Sequence, residues 1–384
     1  MIRLLLLVLA CLSGAVAMAK RPDLDKKDIA ALKLVLLSNN NNLWEKVIRV
    51  KDEKPFTFDN PVWEQINWSA DVDGLTWELT NNAVKLTAIN WSDKGITGHL
   101  KFDGFDNLLT LSCYNNQLES LEIKNLTALK QFSCFGNRLT SLKLKNLAGL
   151  KELYCFSNQL DTLLVDGLVS LEKLSCYQNQ LTSLNCTDFL PRLAYLDCSS
   201  NNLSSLNIAG LYRLSYLDCS LNSLDSLETA DLVNLTHLSC YSNMLASLPV
   251  EKLTGLVYIN CFFNNLTSLD VSNLPGITYL NCWGNQIPFA KLPRRLFDEY
   301  HYEYQRIYIS GVKAGVRLDL SDLVIKGETT AYRYGNVINY LPPDGTFIVP
   351  ADIRRSGKLE IQLTNTAFPK FQENKLPLLL IIME

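Results

Sequence analysis

Apolar and polar positions along this chain recur in a unit of 21 or 22 residues. Leucine, isoleucine or phenylalanine stands five and two positions before a cysteine, and an asparagine stands three positions after it. Leucine or isoleucine follows the cysteine at the fifth position, so that each unit reads L-x-x-L-x-C-x-x-N-x-L. Nine such units follow one another, and their cysteines are Cys113, Cys134, Cys155, Cys176, Cys198, Cys219, Cys240, Cys261 and Cys282.

The alternation around each cysteine predicts a short β-strand. Successive side chains of a strand point to opposite faces, so Leu111 and Cys113 should face a core. Thr110, Ser112 and Tyr114 should then face solvent. One such strand cannot bury its apolar face alone, whereas parallel stacking of the repeats gives a continuous core and a curved array.

The unit matches the leucine-rich-repeat pattern, with cysteine at one of the apolar positions. We expect about ten repeats over residues 86–288, because Trp91 and Ile96 extend the frame one unit earlier, with Lys94 in place of the asparagine. The asparagine, such as Asn116, is expected to turn the chain. Its amide has donors and an acceptor for backbone groups that the turn leaves unpaired.

The eleven cysteines allow two interpretations. An exported chain could carry a disulfide framework. We expect free thiols instead, because side chains of in-register parallel strands run alongside each other and do not face. The repeat cysteines and Cys186 should then act as small buried hydrophobes. Zinc is not expected, since one ligand per repeat in a line cannot form a tetrahedron.

The first 19 residues have the features of a signal peptide. Arg3 precedes an uncharged apolar run from 4 to 16, and Ala17-Met18-Ala19 resembles a cleavage site. The run is shorter than the ~20 residues that a membrane-spanning helix needs. An alternative is lipid attachment at Cys11, because Val8-Leu9-Ala10-Cys11 resembles a bacterial lipobox. Either route predicts an exported protein, secreted or at the cell surface, with no transmembrane segment after processing.

The segments on both sides of the repeats lack the period. Residues 20–85 are expected to contain a helix near 28–37 and to cap the first repeat. Four of the six tryptophans lie between Trp44 and Trp77, so an independent sugar-binding module is the alternative. Residues 289–304 read as a closing segment. Short alternating strands in 305–384 predict an all-β, immunoglobulin-like sandwich.

Overall charge restricts the class of partner. The formal net charge is −3, and the apolar and charged shares are 47% and 20%. These values fit a globular protein with a sizeable core, without the basic field that would favour nucleic acid or an anionic membrane. Neither a cofactor nor a metal is predicted.

The Cys-containing 21-residue units resemble the bacterial internalin J-like class of leucine-rich-repeat surface proteins. The stretches 317–321, 327–332 and 363–369 resemble the immunoglobulin-like domain that often follows such repeats in bacteria. Similarity of the C-terminal sandwich to sorting domains of type IX secretion is the alternative. The resemblance implies surface exposure, adhesion and binding of a partner.

The outward strand positions should form the concave face of the array, and many of them are aromatic. Clustered exposed rings often mark an interaction site. Two acidic residues appear where the rings lapse, and a solvated pair is a simpler interpretation of them than a calcium site, which needs six to eight oxygens. The predicted binding residues are Tyr114, Phe135, Tyr154, Phe156, Tyr177, Tyr195, Asp197, Tyr216, Asp218, Tyr241, Tyr258, Phe262, Tyr279 and Trp283.

The pattern raises three possible functions. The first is adhesion or protein recognition through the concave rings, and the second is carbohydrate binding by the same rings. The third, hydrolysis, is not expected, because the sequence offers no convergent acid, base or nucleophile. The rings also have a structural interpretation, since rings at one position of neighbouring strands can stack and stabilise the sheet.

Overall fold

A computed structural model describes residues 24–38, 43–48, 67–70, 72–80, 83–186, 190–294, 297–326, 328–334, 337–350, 358–368 and 378–383. The predicted signal peptide and Cys11 lie outside the described residues, as does much of the tryptophan-containing segment before 67. The described helices are α1 (Lys26–Ser38), α2 (Leu43–Val47) and the 3-10 turns Phe289–Lys291 and Ser321–Leu323. None of the described helices combines the length and apolar character needed to cross a membrane.

The strands are numbered in chain order. They are β1 (Leu75–Thr80), β2 (Ala83–Asn90), β3 (Thr97–Asp103), β4 (Thr110–Ser112), β5 (Gln117–Lys124), β6 (Gln131–Ser133), β7 (Ser141–Lys143), β8 (Glu152–Tyr154), β9 (Thr162–Leu164), β10 (Lys173–Ser175), β11 (Tyr195–Asp197), β12 (Tyr216–Asp218), β13 (His237–Ser239), β14 (Tyr258–Asn260), β15 (Tyr279–Asn281), β16 (Glu299–His301), β17 (Arg306–Ile309), β18 (Arg317–Asp319), β19 (Thr330–Tyr334), β20 (Val337–Tyr340), β21 (Thr346–Ile348), β22 (Lys358–Asn365) and β23 (Leu378–Met383).

One parallel strand from each repeat builds a long sheet. The twelve-stranded sheet has the order β1-β2-β4-β6-β8-β10-β11-β12-β13-β14-β15-β16. Equivalent residues pair in register, as Leu153 does with Leu174. All ten cysteines among the described residues are buried free thiols, and burial raises the pKa of Cys155 to about 12. The chain is therefore a parallel solenoid with a leucine and cysteine core.

The repeat asparagines tie neighbouring turns of the solenoid together. Asn137 Nδ2 donates to the carbonyl oxygens of Cys134 and Cys113, both at 3.0 Å, and its Oδ1 accepts from the backbone N–H of Leu118 at 3.0 Å. One side chain thus satisfies backbone groups of its own repeat and of the preceding one. The same three bonds recur at Asn243, with Cys240, Cys219 and Leu224 as partners.

The residue before each asparagine adopts a left-handed backbone conformation. This conformation suits glycine and asparagine, and it is unfavourable for larger side chains. Leu221 and Phe263 adopt it nevertheless, with φ of 54° and 50°. The other repeat positions with this geometry are Asp93, Asn115, Gly136, Ser157, Gln178, Ser200, Ser242, Gly284 and Tyr304.

The solenoid continues one turn beyond the predicted boundary at 288. Strand β16 pairs in parallel with β15, and Tyr302 occupies the position of the repeat cysteine. Gln305 takes the place of the asparagine: its Nε2 donates to the carbonyl oxygens of Cys282 and Tyr302, both at 2.9 Å, and its Oε1 accepts from Ile287 N–H at 2.9 Å. The segment 289–304 therefore contains a degenerate repeat without the leucine and cysteine signature.

The residues before the repeats pack on the first turns of the solenoid. Strands β1 and β2 form an antiparallel hairpin, and β2 pairs in parallel with β4. On α1, the side chains of Leu32, Val35 and Leu36 are buried. The carboxylate of Asp28 accepts from the backbone N–H of Leu86 at 2.9 Å. These contacts join the helix to the solenoid core.

The C-terminal residues form two small sheets. A five-stranded sheet has the order β17-β23-β22-β19-β20, and β18 pairs with β21 in a two-stranded sheet. Strand β17 follows the last repeat directly and pairs in parallel with the final strand, β23. Phe368 stacks on Phe289 at 6.1 Å and meets Tyr302 edge-on at 5.1 Å, so this region packs against the end of the solenoid.

Candidate interaction site on the concave face

Three rows of outward side chains form the concave face of the twelve-stranded sheet. The entry row comes three positions before each cysteine: Thr110, Gln131, Glu152, Lys173, Tyr195, Tyr216, His237, Tyr258 and Tyr279. The middle row comes one position before it: Ser112, Ser133, Tyr154, Ser175, Asp197, Asp218, Ser239, Asn260 and Asn281. The exit row comes one position after it: Tyr114, Phe135, Phe156, Tyr177, Ser199, Ser220, Tyr241, Phe262 and Trp283.

The exit row begins with a continuous stack of four rings. Centroid distances are 4.4 Å from Tyr114 to Phe135, 4.3 Å from Phe135 to Phe156, and 4.4 Å from Phe156 to Tyr177. The strand spacing of about 4.8 Å sets this separation, because each ring comes from the same position of the next strand. Each inner ring has both faces covered by neighbours and is only half-buried, so its edge meets solvent.

The remaining predicted rings, apart from Tyr154, lie in the later repeats and also stack. In the entry row, Tyr195 stacks on Tyr216 at 4.4 Å and Tyr258 stacks on Tyr279 at 4.3 Å. His237 stacks between these pairs, at 6.1 Å from Tyr216 and 5.9 Å from Tyr258. The entry row therefore carries five successive rings.

In the exit row, the rings resume at Tyr241. Tyr241 stacks on Phe262 at 4.4 Å, and Phe262 meets Trp283 edge-on at 6.4 Å. All the predicted rings thus lie on one face. Apart from Tyr154, each of them contacts the ring of a neighbouring repeat, so they are not separate exposed rings.

The predicted acidic pair lies where the exit row has no rings. Asp197 Oδ1 accepts from the N–H and hydroxyl of Ser199 at 3.1 and 2.7 Å, and Asp218 Oδ1 accepts from those of Ser220 at 2.9 and 2.5 Å. Each carboxylate is therefore held by hydrogen bonds against the serine two residues later. Burial raises the pKa of Asp197 above its usual value, the Ser199 bonds oppose this shift, and the Asp218 charge adds to it.

Tyr154 is held by its own strand. Its hydroxyl donates to the Glu152 carboxylate at 3.0 Å, and burial together with that carboxylate raises the pKa of Tyr154 to about 12. Glu152 also lies 3.7 Å from the Lys173 ammonium. The carboxylate on this part of the concave face thus has a cation beside it.

Phe263 and Tyr304, which the sequence pattern did not single out, add two rings beside Trp283 at the C-terminal end of the face. Phe263 meets Trp283 at 4.5 Å, Trp283 stacks on Tyr304 at 5.1 Å, and the Arg306 guanidinium lies 4.4 Å above the Tyr304 ring. A Cβ at position 284 would lie 2.7 Å from the Phe263 ring, so Gly284 leaves room for it. The available signal was a bulky residue at the second position after the cysteine, where most repeats have Asn, Gly, Ser or Gln.

Among the described residues, no three or more His, Cys, Asp or Glu side chains come together in a way that could hold a metal ion. The three rows consist of rings, three carboxylates, one lysine and uncharged polar side chains. They offer contact area and hydrogen-bond acceptors.

No model of a known protein family matches the sequence, and no curated protein matches it. Solved structures do match. A leucine-rich-repeat protein of Leptospira interrogans is 24% identical, with a TM-score of 0.46 over 57% of this chain and 71% of that one. The functional domain of InlJ from Listeria monocytogenes, which includes a cysteine ladder, is 20% identical, with a TM-score of 0.43 over 79% of this chain and 84% of that one.

A plant structure gives a higher structural score. The leucine-rich-repeat ectodomain of the receptor kinase GASSHO1/SCHENGEN3 from Arabidopsis thaliana, in complex with Casparian strip integrity factor 2, is 23% identical with a TM-score of 0.53. The likeness covers 68% of this chain, which spans 33% of the length of that ectodomain. Together with the parallel solenoid geometry, it shows that this chain has the leucine-rich-repeat fold, as the sequence period predicted.

Proposed function

We propose that this protein is an exported surface or secreted protein that recognises another protein through its concave face, in adhesion or a related binding role. The observation that carries the proposal is the alignment of aromatic stacks on one solvent-facing side of the sheet, from Tyr114 to Trp283. Aromatic rings contribute large contact areas and are frequent in binding hot spots. Catalysis is not part of the proposal.

The stacks prepare this face for binding. Phe135 and Phe156 are each held by a ring on both sides, so little side-chain freedom remains to be lost on association. Binding by side chains that are already ordered costs less conformational entropy. A partner that covers the ring edges can therefore gain contact area at low cost.

The same geometry favours a protein partner over a sugar. A sugar that stacks on an aromatic residue needs an open ring face, and the inner rings of each stack have none. Open faces remain at the ends of stacks, as at Tyr177 and Tyr241. Carbohydrate binding is therefore the second candidate, restricted to these end rings.

The proposal also covers the segments around the repeats. Residues 20–85 would cap the solenoid, supported by the buried face of α1 and the β1–β2 hairpin. Residues 305–384 would form an immunoglobulin-like sandwich, supported by the two sheets and the parallel pairing of β17 with β23. Export would follow from a signal peptide at 1–19, with lipid attachment at Cys11 as the alternative. The plant ectodomain with this fold has a bound partner.

The test replaces three stacked rings. The full exported chain is used to select binders from a phage library of random linear peptides and, in parallel, is applied to a glycan array. Substitution of Phe135, Phe156 and Tyr177 by Ser should abolish binding of the selected peptides. The matched control, Lys124 and Lys145 to Ser, removes exposed side chains away from the concave face and should leave binding unchanged.

Folding of each variant is checked by its melting curve. Full peptide binding by a folded triple variant would show that the peptides bind elsewhere than on these rings. Binding of glycans without any peptide binder would instead support the carbohydrate candidate.

A further inference from the structure

The exit row is interrupted for two repeats between Tyr177 and Tyr241. Ser199 and Ser220 stand where the other repeats have rings, and the carboxylates of Asp197 and Asp218 lie over them. The facing sides of the Tyr177 and Tyr241 rings are each without a stacked neighbour from the exit row. These six residues define an acidic notch in the ring stack, with an aromatic ring at each end.

The two carboxylates of the notch stand side by side. Asp197 and Asp218 are register partners on β11 and β12, so their backbones lie about 4.8 Å apart. Each uses Oδ1 for its serine. The like charges repel each other, and a cation placed over both would relieve that repulsion.

The concave face supplies no cation for them. From Tyr195 to Trp283 its three rows contain no lysine or arginine, and within the described part of the chain neither aspartate forms an ion pair. Glu152, earlier on the same face, has Lys173 beside it. The notch is therefore a site of uncompensated negative charge.

The surrounding repeats strengthen the negative charge. Residues 195–288 contain seven acidic and two basic residues, a net charge of −5, whereas residues 97–175 contain eight of each and are neutral. Charge complementarity steers association and selects the partner. A positively charged partner segment is thus favoured at the later repeats.

A separate observation in the middle row points to a donor from outside. Asn260 lies on β14, two strands beyond Asp218, and its side chain is more than nine-tenths buried. Its Oδ1 has no hydrogen-bond partner among the described residues. A buried polar atom without a partner is costly, and a bound ligand that supplies a donor removes that cost.

We propose that the acidic notch receives an arginine side chain, or less favourably a lysine, from the protein partner, while the same partner segment supplies a hydrogen-bond donor toward Asn260. This inference rests on the proposed function. A guanidinium presents several donors in one plane, which suits two parallel carboxylates, and its faces can pack against aromatic rings. Tyr177 and Tyr241 are three strands, about 14 Å, apart, so a single guanidinium packs on one of them at most.

The test uses the same phage library of random linear peptides on the full chain. Peptides selected by the wild-type protein should be enriched in arginine or lysine, and the double variant Asp197→Asn with Asp218→Asn should bind them at least about tenfold more weakly. The matched control, Asp225→Asn with Glu228→Gln, removes two exposed charges from the neighbouring loop and should bind within about twofold of wild type.

A second measurement isolates the contact. Replacing the enriched arginine of a selected peptide by citrulline, which keeps the shape and removes the charge, should weaken binding to the wild type. The same replacement should cause no further loss in the Asp197 and Asp218 double variant, because a pairwise contact is lost only once.

Five outcomes would overturn the inference. Selected peptides without basic residues would do so, as would equal losses in the two double variants, which would indicate only long-range attraction. Binding abolished by a chelator would place a divalent cation in the notch. If the triple variant of Phe135, Phe156 and Tyr177 loses binding while the double aspartate variant keeps it, the proposed function stands and this inference falls. If the folded wild-type protein selects no peptide, both the proposed function and this inference fall.

Discussion

The two halves of the concave face are built on the same scaffold and present different chemistry. In the N-terminal half, from Tyr114 to Tyr177, four rings stack without a break and the carboxylate of Glu152 has Lys173 beside it. In the C-terminal half, from Tyr195 to Trp283, the exit row is interrupted at Ser199 and Ser220, and among the described residues Asp197 and Asp218 have no cation beside them. In the first half the carboxylate has a cation from the same face beside it, whereas in the second half the negative charge of the two aspartates is uncompensated.

The difference shows where a solenoid can vary at low cost. The inward leucines and cysteines and the asparagine bonds are repeated in both halves, because every turn needs the same core and the same backbone partners. The outward rows carry no such requirement. Departures from the commonest residue, such as Asp197 in the middle row and Ser199 in the exit row, are therefore tolerated there and mark candidate functional positions.

The largest predicted effect tests the shared scaffold. Asn137→Ala and Asn243→Ala should each lower the free energy of unfolding by about 1–3 kcal/mol, since each leaves buried backbone groups without partners. Chemical denaturation of the two variants should give similar losses. Asn202→Ala, at an exposed position, is the control and should change stability by no more than about 0.5 kcal/mol. A large loss in one half alone would break the comparison.

The second prediction compares ring stacks. Phe135 stacks on two rings and Tyr241 on one in the exit row, so Phe135→Ser should cost more stability than Tyr241→Ser. Each lost pair contributes about 0.5–1.5 kcal/mol beyond the buried area. Thermal melting of both variants measures the difference. Equal losses would mean that the stacks contribute little beyond burial of single rings.

The third prediction concerns backbone strain in the C-terminal half. Leu221 has a positive φ and is 45% exposed, so Leu221→Asn should raise stability by about 0.5–1 kcal/mol. Leu221→Ala lacks the short polar side chain that lets asparagine tolerate this conformation, and should not give this gain. The melting temperatures of the two variants, compared with that of the wild type, test this prediction. A loss of stability on Leu221→Asn would show that the leucine side chain makes packing contacts that outweigh its strain.

The smallest predicted effect is a dependence on pH. The pKa of Asp197 is raised in the folded protein, so as pH rises through 3.8 the unfolded state ionises first and stability falls. Asp197→Asn should therefore stabilise the protein at neutral pH, and the gain should disappear as pH falls toward that value. Denaturation curves at both pH values measure it, with the exposed Asp225→Asn as control. A gain in stability that persists at acid pH would have a cause other than the ionisation of Asp197.

Much of the architecture was predictable because the same sequence pattern occurs in every repeat. The spacing of Leu153 and Cys155 indicated the strand and its inward face, and the asparagine three positions after the cysteine indicated the turn. The end of the solenoid was not predictable in this way. Tyr302 and Gln305 replace the cysteine and the asparagine there, and only their backbone contacts reveal the turn.

The candidate site was predicted as a set of residues and not as an arrangement. The rows of Tyr114 and Tyr195 followed from alternation along a strand. Whether the rings would stand apart or cover each other depended on side-chain orientation, which the period does not specify. Phe263 was missed because its role depends on contact with Trp283 and on the space above Gly284.

By itself, the sequence determined the repeat, the parallel sheet, the buried thiols and the side on which the rings lie. These features follow from local periodicity, since every turn must bury the same positions against its neighbours. The tertiary structure alone decided that the rings cover each other's faces, that Asp197 and Asp218 lie over the two serines, and that one more turn closes the solenoid. Such features depend on the packing of side chains between turns, where residues about 21 positions apart come into contact.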